Sequence, residues 1–236
     1  MKKKRLRLEM LEQPDDTNCG PTCLHAIYDY YGEEISLQQI ISEVQKIEGG
    51  GTLAVLLAIH ALKKGYKATI YTYNLHLFDP SWFDDDQIDL ADKLLEQADA
   101  KGDKKLRGAT RAYLEYLELG GEILFKDLTP SLLRSYLERS IPILTGLSAT
   151  YLYKEPREDG KINKSDDIKG EPVGHFVVLS GFDKQRDTIH VADPWQTNIR
   201  FRRQYYDVKV ARVISSILLG IITYDANLLI VEPAEI

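Results

Sequence analysis

The sequence predicts an α+β fold with a mainly antiparallel sheet, because helix-patterned segments fill its first half and strand-patterned segments dominate the second. Three observations carry that expectation. Apolar residues recur at helical spacing after Cys19, after Ser36 and after Leu53. Two dense apolar runs, Val173 to Phe182 and Thr188 to Trp195, flank the polar turn Asp183 to Asp187 and read as a hairpin. A further strand-like run covers Asn227 to Pro233. At 236 residues and 44% hydrophobic content the chain can bury a sizeable core, and a single domain over 1–236 is expected.

In chain order, Leu6 to Leu11 alternates like a strand and leads into a polar loop at Gln13. In the first helix Cys23, Ala26, Ile27 and Tyr30 share a face, Pro21 lies in the first turn and Gly32 is placed to stop it. Ser36 is the expected cap of a second helix reaching about Ile47. Gly49-Gly50-Gly51 lacks the Lys-Ser/Thr of a phosphate loop and reads as a flexible turn. Thr52 is the expected cap of a helix from Leu53 to Lys64 that ends at Gly65, and Lys67 to Tyr73 is the next strand.

Residues 75–128 turn charged and helix-forming and read as a helical insertion, with helices from Ile88 to Ala100 and Arg111 to Leu119 stopped by Gly120-Gly121. Asp84-Asp85-Asp86 is read as an acidic cap, because hard cations need ligands at alternating loop positions rather than a bare run. Thr129 and Pro130 open a helix over Ser131 to Ser140, and Ile141 to Leu147 is a buried strand. The polar stretch 154–172 is long for a loop and reads as a mobile lid or hairpin excursion. Helix is expected again from Val208 to Thr223.

Composition narrows the function. A net charge of −6 argues against nucleic acid as partner, with Lys2-Lys3-Lys4-Arg5 taken as a solvated basic tail. No apolar h-region follows that tail, and Val213 to Tyr224 is interrupted and too short to span a bilayer, so no membrane span is expected and the expected location is cytoplasmic. Two cysteines four residues apart suit neither a disulfide within a helix nor, alone, a zinc site. No cofactor and no metal are expected.

A lone cysteine is usually a small buried apolar residue, and Cys23 fits that description. Cys19 differs. It follows the turn-forming run Pro14 to Asn18, precedes Gly20, and sits at a helix N-terminus, where unpaired N–H groups and the helix dipole favour negative charge on sulfur. A nucleophilic thiol needs a base, an orienter for the base and donors for the developing oxyanion. His175 opens one hairpin strand, after a glycine expected to leave its ring accessible. Asp193 closes the neighbouring strand, so the two should meet. Gln13, six residues before Cys19, can offer a side-chain N–H beside the thiol, with the Cys19 backbone N–H as second donor. None of the other histidines is flanked like His175: His25 points away from the thiol, His60 and His76 read as surface or half-buried positions, and His190 faces opposite to Ile189 and Val191.

At these residues the chain resembles the papain-like cysteine peptidases, most closely the double-glycine leader peptidases of bacteriocin exporters and their free-standing relatives. Gln13 to Gly32 is similar to the family's glutamine, Asn/Asp-Cys-Gly, second-cysteine and Tyr-Tyr-Gly pattern, while Gly174 to Gly181 and Val191 to Pro194 are similar to its histidine and aspartate strands. The resemblance implies a papain-like fold, with N-terminal helices packed on the sheet. It also implies that Gln13, Cys19, His175 and Asp193 are oxyanion donor, nucleophile, base and orienter, and that Cys23 is not catalytic. No membrane domain or nucleotide-binding cassette is recognisable, which argues against an export-coupled enzyme. The expected function is hydrolysis of a peptide bond in a peptide or protein substrate. An amidase or transferase using the same thiol, or a non-catalytic peptide-binding module, are the alternatives.

Overall fold

The computed structural model describes residues 2–46, 51–85, 87–160, 164–198 and 200–234. Strand β1 (Lys3–Arg5) pairs with a later strand, and the ladder ends at Leu6, whose N–H donates to the Ser180 carbonyl. The strand predicted over Leu6 to Leu11 is instead an extended strap. Leu6, Leu8 and Met10 are buried and the residues between them exposed, as the alternation requires, but side chains hold the strap in place of a ladder. Tyr205 Oη accepts from Met10 N at 2.7 Å and donates to Leu8 O at 3.2 Å, and Gln204 Nε2 donates to Met10 O at 3.1 Å.

Helix α1 (Cys19–Tyr30) follows, with Gly32 at φ 82° after it. Helix α2 (Leu37–Glu43) is capped by Ser36 as expected but ends before the predicted Ile47, because Val44 turns extended and buries its side chain. Of the triple-glycine turn only Gly51 lies among the described residues. In α3 (Ala54–Lys63) the N-cap is Leu53 rather than Thr52, whose hydroxyl donates to the Gln45 carbonyl instead. Strand β2 (Tyr66–Thr72) comes next.

Helix α4 (Leu90–Lys101) is capped by Asp89, whose Oδ1 accepts from Ala91 N and Asp92 N. The capping role predicted for Asp84 to Asp86 therefore belongs to Asp89, and Asp86 lies outside the described residues. Helix α5 (Lys104–Glu118) begins well before the predicted Arg111, because Asp103 caps it directly after the left-handed Gly102. Strand β3 (Glu122–Leu124), helix α6 (Pro130–Glu138, capped by Thr129), strand β4 (Ile143–Ser148) and helix α7 (Ala149–Tyr153) lead to the polar excursion, a ribbon of β5 (Glu158–Asp159) and β6 (Lys164–Ser165). The hairpin is β7 (Gly174–Asp183) and β8 (Thr188–Ala192). Helix does not begin at Val208: Tyr205–Lys209 is strand β9, with Tyr206 and Val208 buried and their neighbours exposed, and α8 (Val210–Leu219) starts after it. Strand β10 (Asn227–Pro233) completes the set.

The main sheet runs β3-β2-β10-β4-β7-β8-β9, with β1 also on β7, and every pairing except β2 with β3 is antiparallel. Its central strands are apolar on both faces, the mark of a sheet covered on both sides. Phe176, Val178, Leu229 and Val231 pack with α1, α3 and α5, whereas Val177, Leu179, Leu228 and Ile230 pack with α6, α7 and α8. The sheet is thus sandwiched, rather than covered by N-terminal helices alone.

Candidate active site

The helix carrying Cys19 is set down on β7 by two contacts. Cys23, fully buried, directs its thiol to the Phe176 carbonyl at 3.3 Å, and burial pushes that thiol well above its ordinary value. At Gly20 the space for a Cβ is already filled, since it would lie 2.7 Å from Thr52 Cγ2 and 3.3 Å from Phe176 Cδ2. The residue after Cys19 must therefore be small for α1 to approach β7.

The loop ahead of α1 is organised by Asp15. Its Oδ1 accepts from Thr17 N and Oγ1 at 2.8 and 2.7 Å, and Oδ2 accepts from Asn18 Nδ2 at 2.6 Å. These bonds, those from Thr17 foremost, hold its carboxyl below the usual range. Gln13 Nε2 donates to the Asp15 carbonyl at 3.0 Å, which uses one of its two protons, and its Oε1 is buried without a partner. The backbone N–H of Gln13 donates to Pro194 O at 3.0 Å, which ties the loop to the residue after Asp193.

The hairpin brings His175 and Asp193 together as its spacing predicts, with His175 Nε2 2.9 Å from Asp193 Oδ1. The Cys19 side chain lies close enough to the same imidazole to favour its protonated form. Burial works to lower the His175 pKa, but the Asp193 charge and hydrogen bond, aided by the Cys19 sulfur, prevail and push it up to about 10. Cys19 is half-buried at the surface end of this chain of contacts.

Asp193 is fully buried and held by more donors than the sequence discloses. Oδ1 also accepts from Trp195 N at 2.9 Å, and Oδ2 accepts from Tyr153 Oη at 2.6 Å and from Tyr206 Oη. Burial first, and then the Asp193 charge, drives both phenols well above their ordinary range, so they remain donors. Tyr206 could have been found from the alternation of Tyr205 to Lys209; nothing in the sequence marks Tyr153.

The glycine before His175 does not expose the ring, which is 6% accessible. It makes room for a carboxylate. A Cβ on Gly174 would fall on Asp225 Oδ2 and within 2.7 Å of Thr223 Oγ1. Asp225 accepts from Thr223 Oγ1 at 2.8 Å, and burial raises its pKa to about 7. Glu155, after α7, is likewise raised to about 7 by burial and then by the Glu158 charge, with both carboxyl oxygens buried and unpartnered. Neither acid was expected near the site.

The other histidines stay apart. His60 is buried rather than superficial, bonded to Tyr28 Oη and Glu43, and His190 is held by Asp207. Among the described residues no group of three or more His, Cys, Asp or Glu is placed to hold a metal ion, and no helix is long and apolar enough to cross a membrane.

A thiol, an imidazole and a carboxylate in this order, drawn from a helix N-terminus and a hairpin, are the parts of acyl transfer through sulfur. Residues 5–214 match the family described as Peptidase C39 like. The chain belongs to the C39-like peptidase family. It is accordingly a cysteine peptidase, a hydrolase of peptide bonds. Among solved structures this C39-like peptidase is similar to a protein described as a C39-like peptidase from Bacillus anthracis, at a TM-score of 0.54 and 13% identity over 100% of both chains, a likeness of fold. It is also similar to a double glycine motif protease from an AMS/PCAT transporter in complex with the leader peptide (TM-score 0.48, 15% identity, 98% of this chain and 95% of that one). A further similar structure is xylellain, a cysteine protease from Xylella fastidiosa (TM-score 0.48, 13% identity, 100% and 87%). No curated protein matches the sequence.

Proposed function

We propose that the peptidase works through Cys19 as nucleophile, His175 as base and acid, Asp193 as orienter and Gln13 as oxyanion donor. The observation that supports this most is the unbroken series from Asp193 Oδ1 through the imidazole to the Cys19 sulfur. The raised His175 favours the imidazolium, and attack takes place with the Cys19 proton held by that ring. The thiolate attacks the scissile carbonyl. Negative charge then develops on its oxygen, beside the Cys19 N–H and the remaining Nε2 proton of Gln13. His175 gives its proton to the leaving amine and regains one from the water that attacks the acyl group, so sulfur and ring return to their starting state. The substrate is a peptide or protein chain.

We read residues 75–128 as an insertion at one edge of the core, since β3 is a terminal strand and α4 packs chiefly on α5. The described parts of the 154–172 excursion, 154–160 and 164–172, are read as a mobile element carrying Glu155. Incubating the wild type and Cys19→Ala with a proteome-derived peptide library, and sequencing products by mass spectrometry, tests the assignment. Cleavage should vanish with the sulfur; equal turnover by both proteins rejects it.

A further inference from the structure

A groove of about 870 Å³ lies between α3 and α5, and the candidate site does not account for it. Its charged lining is Lys46, Lys104, Lys105 and Arg111 against Asp103 and Glu115, locally positive in a chain of net charge −6. Both acids are committed elsewhere. Asp103 caps α5 by accepting from Leu106 N at 2.7 Å, and Glu115 pairs with Lys63 at 2.6 Å. Arg111 is exposed and has no ion pair among the described residues. Leu53 and Leu56 supply an apolar floor.

Two lining residues are next in sequence to residues that pack against the candidate site, one on each half of it. Leu53 follows Thr52, whose methyl fills the space at Gly20 beside Cys19. Tyr224, under the Lys105 ammonium at 3.8 Å, precedes Asp225, whose carboxyl fills the space at Gly174 beside His175. Lys46 acts electrostatically on Asp15, in the loop that leads to Cys19.

We infer that this groove receives the part of the substrate chain adjoining the scissile bond, and that it selects for acidic side chains there. The inference rests on the peptidase assignment for its place in the reaction. Its physical basis is charge complementarity across a concave surface, which sets partner choice and salt dependence more than raw affinity.

Binding and cleavage can be tested separately. Cys19→Ala is titrated with fluorescein-labelled peptides of alternating Gly-Glu and of alternating Gly-Lys, at low and at raised ionic strength, by fluorescence anisotropy. The acidic peptide should bind more tightly by about tenfold or more and weaken with salt, and Lys46→Glu combined with Arg111→Glu should abolish the preference. Equal binding of the two peptides, or a preference untouched by the double reversal in a protein whose circular dichroism is unchanged, overturns the inference. In the library digest, wild type should show Asp and Glu enriched at a fixed distance from the cut bond, and the double reversal should lose that enrichment. Cleavage without enrichment overturns the groove while leaving the peptidase assignment intact. Acid-selective binding without any cleavage sustains the groove and removes the assignment.

Discussion

At the scale of single residues the decisive contest is at His175. Burial alone would strip the imidazole of its proton, and the Asp193 carboxylate reverses that outcome. Because the folded value is raised to about 10 from an ordinary value of about 6.5, the ion-pair stabilisation is complete below about 6.5 and is lost as pH climbs toward about 10. The alkaline limb of kcat/KM should accordingly lie far above 6.5 in the wild type. Asp193→Asn should bring it down and lower turnover while sparing some of it, whereas His175→Ala should cost about 10²–10⁴-fold. pH–rate profiles of the three proteins decide this. An alkaline limb unmoved by Asp193→Asn, or a worse loss there than at His175, would mean the two roles are misassigned.

At the scale of elements, the position of the sulfur depends on how closely α1 can lie against β7. Gly20→Ala should place its methyl 2.7 Å from Thr52 Cγ2 and 3.1 Å from Leu57 Cδ1, costing about 1–3 kcal/mol and lowering activity as α1 shifts. Gly108→Ala, in an exposed turn of α5 with nothing within 4 Å, should instead stabilise by about 0.5–1 kcal/mol. Urea denaturation of both variants gives the comparison, and equal effects would discount the close approach. The cysteine helix, the hairpin and the meeting of His175 with Asp193 were legible because each announces itself locally, by 3.6-residue spacing or by two apolar runs around a short polar turn. Strand β9 was not. It runs into α8 without a turn residue, and the helical face set by Val210, Val213 and Ile217 draws the expected helix start forward into it. Tyr153, Glu155 and Asp225 were equally hidden, since their roles arise from long-range packing with no local pattern.

At the scale of the whole molecule, the reactive groups are enclosed in a core that also holds a costly acid. Asp225 is raised to about 7, chiefly by burial, against an ordinary value of about 3.9. Between those values the folded protein keeps a proton that the unfolded chain has released, so this residue's contribution to stability falls as pH rises through that window. Asp225→Asn removes the dependence. The stability difference between variant and wild type, from thermal unfolding, should therefore move in favour of the variant on going from pH about 4 to about 8; a constant difference would show that Asp225 titrates normally.

The extended strap before Gln13 has a bearing on how the enzyme can be handled. Leu8 and Met10 are bonded to Gln204 and Tyr205, so a segment that donates nothing to the chemistry is stitched to the start of β9, the strand beyond the hairpin. A proteolytic nick within those first dozen positions would leave the sulfur's loop anchored through Gln13 alone, and the nicked protein should turn over a peptide substrate more slowly.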